Sequence, residues 1–404
     1  MLDLLQGIRV LSFNHFLLGP MAIQVLGDLG ADVITVEPPE GAWQRHWSSG
    51  NIWHDGQGVV HMCTNRNKRS IALDLKSPEG KEIALKLVDR ADVVAENFRP
   101  GVMDKLGFGY HALQRRKPSL IYASASGYGP DGPYAQRPGQ DLLAQALFGV
   151  MAITGQKETG PRPVGVSVAD HHGAALLAMG IIAALFRRER TGQGCCVDVS
   201  LMQAALDLQA ESLTGWLNAR QPPASVGPSR NIAGWYYPAP YGVYATRDGH
   251  LAVSLCPLSA LASIIEELSP YSDEDAWTRA DEIADLIAAR LKTKTSEEWA
   301  LRMQAGQIWH ARVQGYAEIA QDPQVIHMQA LVTVAGGGKA GAPVTLVNHP
   351  VRYDGKVAAV RLPPQGLGAQ TEEILGELGV SAVEIATLVR KGVVHVGESR
   401  TQPA

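Results

Sequence analysis

The sequence predicts an α/β protein: a large domain on a parallel sheet, joined to a smaller α+β domain. Three observations carry this. The chain opens on a strand–helix–strand unit, a connection that favours parallel pairing. The same alternation recurs to about residue 215. Beyond that point Pro, Gly, Ser and aromatic residues break the pattern, and a hairpin and shorter helical stretches follow. With 404 residues, 46% of them hydrophobic, the chain can bury more than one core.

Residues 8–13 (IRVLSF) form an apolar run suited to a buried strand. Gly19 and Pro20 mark a turn. Residues 21–29 carry a helical pattern that Gly30 ends, and 31–36 (ADVITV) complete a Rossmann-like βαβ unit. Residues 70–75 read as a strand, 79–90 as an amphipathic helix with Ile83, Leu87 and Val88 inward, and 91–95 and 120–124 as further strands. Helical patterns cover 141–153 and 173–189. The second stays apolar until Arg187 and is expected at the centre of the fold; a short strand at 165–168 precedes it. Residues 196–200 (CVDVS) are strand-like and 202–216 helical. This gives a large domain over 1–215. Residues 216–235 read as a linker. The small domain spans 236–320, with a hairpin over 241–255 turning at Arg247-Asp248-Gly249. Residues 321–404 return to the large domain and close on helices at 371–378 and 382–391.

Composition excludes several classes. A net charge of −4 does not suit a nucleic-acid binder. The four cysteines, Cys63, Cys195, Cys196 and Cys256, form no C-x-x-C pair and read as reduced, buried thiols, with no metal site. The opening MLDLLQGIRVLSFN lacks the basic and apolar regions of a signal peptide. No run of about 18 apolar residues is apparent, so no membrane span is expected and the compartment is read as the cytoplasm. The first strand is not followed by G-x-G-x-x-G, and no G-x-x-x-x-G-K-[ST] occurs, which disfavours dinucleotide and P-loop chemistry.

Asp170 is the leading chemical candidate. It stands before a long apolar helix with small residues at Gly173, Ala174 and Ala175. A carboxylate there is either a helix cap or, in the field of the helix N-terminus, a nucleophile able to form an acyl intermediate. His171 and His172 diverge on a helix and cannot both face one site. The Gly/Pro loop from Gly127 to Pro133 follows a strand and lets backbone approach a ligand. Arg66, Lys68 and Arg69 form a basic cluster, either a solvated face or a phosphate contact.

Together these stretches resemble the class III CoA-transferases. The similarity rests on the opening LQGIRVLSFNHFLLGPMAIQVLGDLGADVITVE, the block NRNKRSIALDLKSPEGKEIALKLVDRADVVAENFRPGVMDKLGFGY, the segments IYASASGYGPDGPY and VSVADHHGAALLAMGIIAALFRRERTGQG, and the C-terminal PPQGLGAQTEEILGELG. It covers most of the chain and is weakest over about 215–320. The resemblance implies an interlocked homodimer and coenzyme A, brought as acyl-CoA substrate, with no permanently bound cofactor. It implies that Asp170 is the catalytic nucleophile, passing through a mixed anhydride to an aspartyl-CoA thioester, with Asp141 and Gln140 in support. By position it carries CoA contacts onto Leu73, Asp74, Leu75, Lys76, Asn97, Phe98, Arg99 and Lys105, with Arg137 added. The partners so implied are an acyl-CoA donor, such as succinyl-CoA or another dicarboxylyl-CoA, and a small carboxylic acid.

The match has departures. Leu17 stands where formyl-CoA enzymes carry a functional glutamine, and Pro38 where they carry a CoA-binding arginine. Their run of consecutive glycines has no counterpart between 241 and 270. Two alternatives share the resemblance. An α-methylacyl-CoA racemase-type isomerase needs a histidine before the aspartate that is Asp141 here, and Gln140 cannot exchange protons. A non-catalytic CoA-binding protein has no need of Asp170.

Overall fold

The computed structural model describes residues 2–338 and 340–397. Contacts divide the chain into two compact units: Met1–Ala144, Val168–Ala204 and Pro323–Ala404 form the larger, and Gln145–Ser167 and Ala205–Asp322 the smaller.

The larger unit is a seven-stranded sheet. Six strands are parallel: β1 (Arg9–Phe13), β2 (Asp32–Glu37), β3 (Lys68–Leu73), β4 (Val93–Glu96), β5 (Ile121–Ser126) and β6 (Cys196–Ser200). They lie in the order β3-β2-β1-β4-β5-β6. Val394–His395 pairs antiparallel with β3 and closes that edge; two residues are too short a signal to read from sequence. This is the doubly wound order, with its reversal point between β1 and β4, where ligands bind such sheets at the strands' C-terminal ends.

Alternation of side chains sorts the core. Leu11, Phe13, Ile34, Ile71 and Leu73 join Ile83, Leu87 and Val88 of α2 (Pro78–Arg90) in one buried cluster. Ser77 caps α2 and Pro78 opens it, an economical start for a helix. Helices α1 (Leu18–Asp28) and α4 (Val168–Thr191) pack on each other. Between them in sequence lies α3 (Asp141–Leu147).

Several expectations need correction. The helix expected over 141–153 is two short ones, because Gly149, at φ 92°, breaks it before Val150–Thr154. No strand forms at 165–168; α4 already begins at Val168. Nor is α4 central all round, since Met179 and Phe186 are exposed. Its 24 residues are long and apolar enough, by length and composition, to cross a membrane, contrary to the sequence reading. That test is also passed by helices packed in a globular core, and α4 buries Leu177, Ile181 and Leu185. All four cysteines are free and half-buried.

The smaller unit holds a three-stranded antiparallel sheet, with His250–Val253 between Gly242–Ala245 and His310–Arg312. The hairpin turns where expected, Thr246 N–H donating to Gly249 C=O. Tyr244, Leu251, Ile283, Ile287 and Trp299 form its core. The end of the Pro/Gly-rich stretch read as a linker is packed here: Ile232 is in that core, and Val243 N–H donates to Asn231 C=O. Residues 145–167 also belong to this unit. The Gln145 side chain accepts from Val164 N–H, and Lys157 N–H donates to Pro228 C=O. Such pairings join segments far apart in sequence and leave no local signal.

Candidate active site

The site forms at the reversal point of the sheet. The loop leaving β1 runs from Asn14 to Leu17, and the loop leaving β4 begins at Asn97. Asn97 ties them together: its Oδ1 accepts from His15 N–H at 2.8 Å and its Nδ2 donates to His15 C=O at 2.8 Å. The Phe98 ring lies 5.1 Å from that of His15. Glu96 holds the start of the second loop, accepting from Ser124 Oγ at 2.6 Å and from Phe98 N–H at 2.8 Å. Burial pushes the Glu96 carboxyl up to about 7.

The first loop delivers the N-terminus of α1. No side chain caps this end, and no acidic residue stands in its first turn. Its orphan N–H groups are therefore open to an anion. Asp170 meets them: the Leu18 backbone N–H donates to its carboxylate. The approach is possible because Gly173 shares a face with Asp170, three residues on. A Cβ on Gly173 would fall 2.7 Å from Leu18 Cδ1. Gly19 is equally confined, since its Cβ would fall 2.1 Å from Asn14 Oδ1.

Asp170 lies in the first turn of α4 and is not its cap. The capping is done by Asp141, 29 residues earlier, whose Oδ1 accepts from Ala169 N–H at 2.8 Å and Asp170 N–H at 3.2 Å. Asp141 itself opens α3, behind a loop pinched where Gly127 and Gly139 meet; a Cβ on either would lie within 2.6 Å of the other's Cα. Desolvation first, and the Asp141 charge second, push Asp170 up to about 7 from the ordinary 3.8, against the Leu18 hydrogen bond. Burial lowers His171, opposed by Asp141. Gln140 is exposed, and its C=O accepts from Ala144 N–H at the start of α3.

The remaining positions separate into two groups. Lys76, Arg99, Lys105 and Arg137 are exposed and follow β3, β4 and β5 at the same end of the sheet. Arg137 stacks on Tyr134, 3.9 Å from the ring centre. Leu73, in contrast, points into the core, and the Asn97 amide is already committed to His15. Asp74 Oδ1 accepts from Lys76 N–H at 2.9 Å, shaping the turn with Leu75 beside it.

The basic cluster is neither a solvated face nor a phosphate contact. Arg66 is buried against Asp28 at 2.7 Å. Lys68 donates to Pro20 C=O, Thr64 C=O and Asn65 Oδ1. Arg69 is held by Asp32, Glu373 and Glu377. Among the described residues no group of three or more His, Cys, Asp or Glu could hold a metal.

The parts of the site that sequence reasoning missed are Leu18, Gly173 and Glu96. Leu18 acts through its backbone, which any residue supplies, and Gly173 acts by having no Cβ. Glu96 could have been suspected as a carboxylate ending a buried strand.

This fold is that of a known class of enzymes. Residues 5–371 match the family described as CoA-transferase family III. The chain is 34% identical over 395 residues to the succinyl-CoA:mesaconate CoA-transferase of Haloarcula hispanica, covering 93% of this chain and 96% of that one. It is 32% identical over 376 residues to the acetyl-CoA:oxalate CoA-transferase of Acetobacter aceti, covering 91% and 95%. The crystal structure of a CAIB/BAIF family protein from Brucella suis superposes with a TM-score of 0.80 at 29% identity, over 93% of this chain and 99% of that one. The chain belongs to CoA-transferase family III and is an enzyme that transfers CoA.

Proposed function

We propose that this enzyme moves CoA from an acyl-CoA donor to a carboxylic acid through a covalent intermediate on Asp170. The observation that carries the reading is the hydrogen bond from the uncapped N-terminus of α1, through Leu18 N–H, to a carboxylate raised to about 7. Ionised Asp170 attacks the thioester carbonyl, and CoA thiolate leaves from a mixed anhydride. The thiolate then attacks the aspartyl carbonyl and expels the donor acid as its carboxylate. This leaves an aspartyl-CoA thioester, and the acceptor carboxylate reverses the two steps. Each attack on the aspartyl carbonyl puts negative charge on its oxygen, where Leu18 N–H and the α1 dipole stabilise it. Asp141 positions the nucleophile by capping its helix.

Lys76, Arg99, Lys105 and Arg137 are proposed to hold the phosphates of CoA, with Asp74, Leu75 and Phe98 lining its path. Relatives named for succinyl-CoA support a dicarboxylyl-CoA donor. We further propose a cytoplasmic homodimer, for which the exposed apolar residues Met179 and Phe186 on α4, with Leu142 and Leu143, supply a surface.

The test uses acyl-CoA without acceptor. Hydroxylamine should convert the adduct to a hydroxamate on the peptide containing Asp170, and borohydride should reduce the thioester. Asp170→Ala should lose about 10⁴-fold or more in rate. A folded variant keeping a tenth of the activity would refute the mechanism. An isomerase, by contrast, would exchange the α-proton of 2-methylacyl-CoA into deuterated water without any added acid.

A further inference from the structure

Three stacked aromatic rings, beginning two residues before Leu18, have no part in the chemistry above. Phe16 lies two residues before Leu18, so its Cα is within about 7 Å of the N–H that meets Asp170. Phe16 holds φ at 63°, a conformation that is uncommon for a bulky side chain and gathers at functional sites. Its ring stacks on Trp43 at 4.5 Å, and Trp43 stacks on Trp47 at 5.2 Å. The turn bearing the tryptophans is tied to this loop by Gln44, a buried side chain whose Oε1 accepts from Phe16 N–H at 3.4 Å. Yet Trp43 is 51% and Trp47 40% exposed. A ring ladder anchored by a buried polar group and left open to solvent is not a core element.

The charges around it are already consumed. Arg45, between the tryptophans, is paired with Glu37 at 2.5 Å and donates to Gln365 C=O at 3.1 Å. His46 is hydrogen-bonded to Glu40 C=O. Burial lowers His15 and so disfavours its charged form. The distal carboxylate of a dicarboxylic acid would lose its water against these rings and gain no counter-ion from Arg45, His46 or His15. A flat apolar group would gain stacking surface.

We propose that Phe16, Trp43 and Trp47 form the acyl subsite, and that the acceptor is an aryl-substituted or similarly flat monocarboxylic acid. This rests on the transferase reading above and adds the substrate class. Both acids pass through this subsite in turn, so the same preference applies to the donor and ranks a dicarboxylyl-CoA below an aryl-acyl one.

Identity exchange tests each acid without knowledge of its physiological partner. The enzyme is given an acyl-CoA and the isotopically labelled form of its own free acid, and label in the CoA ester is read by mass spectrometry. Phenylacetyl-CoA with phenylacetate should exchange with kcat/KM at least tenfold above acetyl-CoA with acetate and glutaryl-CoA with glutarate. Trp43→Ala should lower the phenylacetate-to-acetate ratio about tenfold, and Trp43→Phe should keep most of it. If glutarate exchanges faster than phenylacetate, or if folded Trp43→Ala leaves the ratio unchanged, the subsite assignment is overturned while CoA transfer stands. If no acid exchanges, the transferase reading falls, and this inference with it.

Discussion

Replacing Asp141 by Asn separates its charge from its capping role. Asn keeps an oxygen able to accept from Ala169 and Asp170 N–H, so α4 stays capped, while the negative charge beside Asp170 disappears. Asp170 is raised from 3.8 to about 7, with desolvation the larger cause and Asp141 the second. Removing the second cause should lower the midpoint by about one unit. On the proposed mechanism only ionised Asp170 attacks the thioester, so kcat/KM should fall tenfold per pH unit below its midpoint. In the wild type roughly a tenth of Asp170 is ionised at pH 6; in Asp141→Asn about half would be. The assay is the pH profile of label exchange between an acyl-CoA and its acid, each enzyme normalised to its own high-pH plateau. The acid limb should move down by about one unit, a fivefold relative gain at pH 6. A limb that stays in place, or moves up, would refute both the electrostatic coupling and the assignment of this limb to Asp170.

Asp170→Asn should abolish transfer yet stabilise the fold at pH 8. The folded pKa of about 7 lies above the unfolded value, so ionisation costs stability that is absent below about pH 4, grows to pH 7 and is constant above it. The gain is bounded at about 4 kcal/mol and should vanish near pH 4, as pH-dependent thermal melts would show; a pH-independent difference would contradict the shift. Gly173→Ala puts a methyl 2.7 Å from Leu18 Cδ1, so the Leu18 side chain must turn aside or α1 must shift. It should cost about 1–3 kcal/mol and lower kcat on the order of 10–100-fold with little change in KM; an unchanged kcat would remove Leu18 from the mechanism. Arg66→Ala breaks a buried pair and should cost about 3–5 kcal/mol, leaving KM for the CoA ester unchanged in the folded enzyme. Lys105→Ala should do the reverse, raising KM severalfold with the melting temperature unmoved.

The sequence was informative where periodicity and turn chemistry act locally. The βαβ opening, the amphipathic face of α2 and the Asp248-Gly249 hairpin were all legible, because each is decided within about a dozen residues. Local reading misjudged the region from 145 to 235. There apolar helical patterns said nothing about which core the segments join, and side chains such as Gln145 join them to distant partners. The basic cluster failed for a related reason. Arg66, Lys68 and Arg69 cluster at the start of a strand and read as a solvated face or a phosphate contact, but the counter-ions Asp28, Asp32, Glu373 and Glu377 come from elsewhere in the chain.

By itself the sequence determined the α/β class, the candidate carboxylate Asp170 and, through its resemblance to a known family, CoA transfer. Tertiary structure alone decided what surrounds that carboxylate. The N–H that meets it comes from Leu18, 152 positions away, and the charge that raises it comes from Asp141. The room for both exists because Gly173 has no side chain to hold α1 apart. Backbone donors and missing atoms carry no residue signature, and desolvation is a property of a finished interior. A one-dimensional reading can therefore find the candidate carboxylate but not its environment.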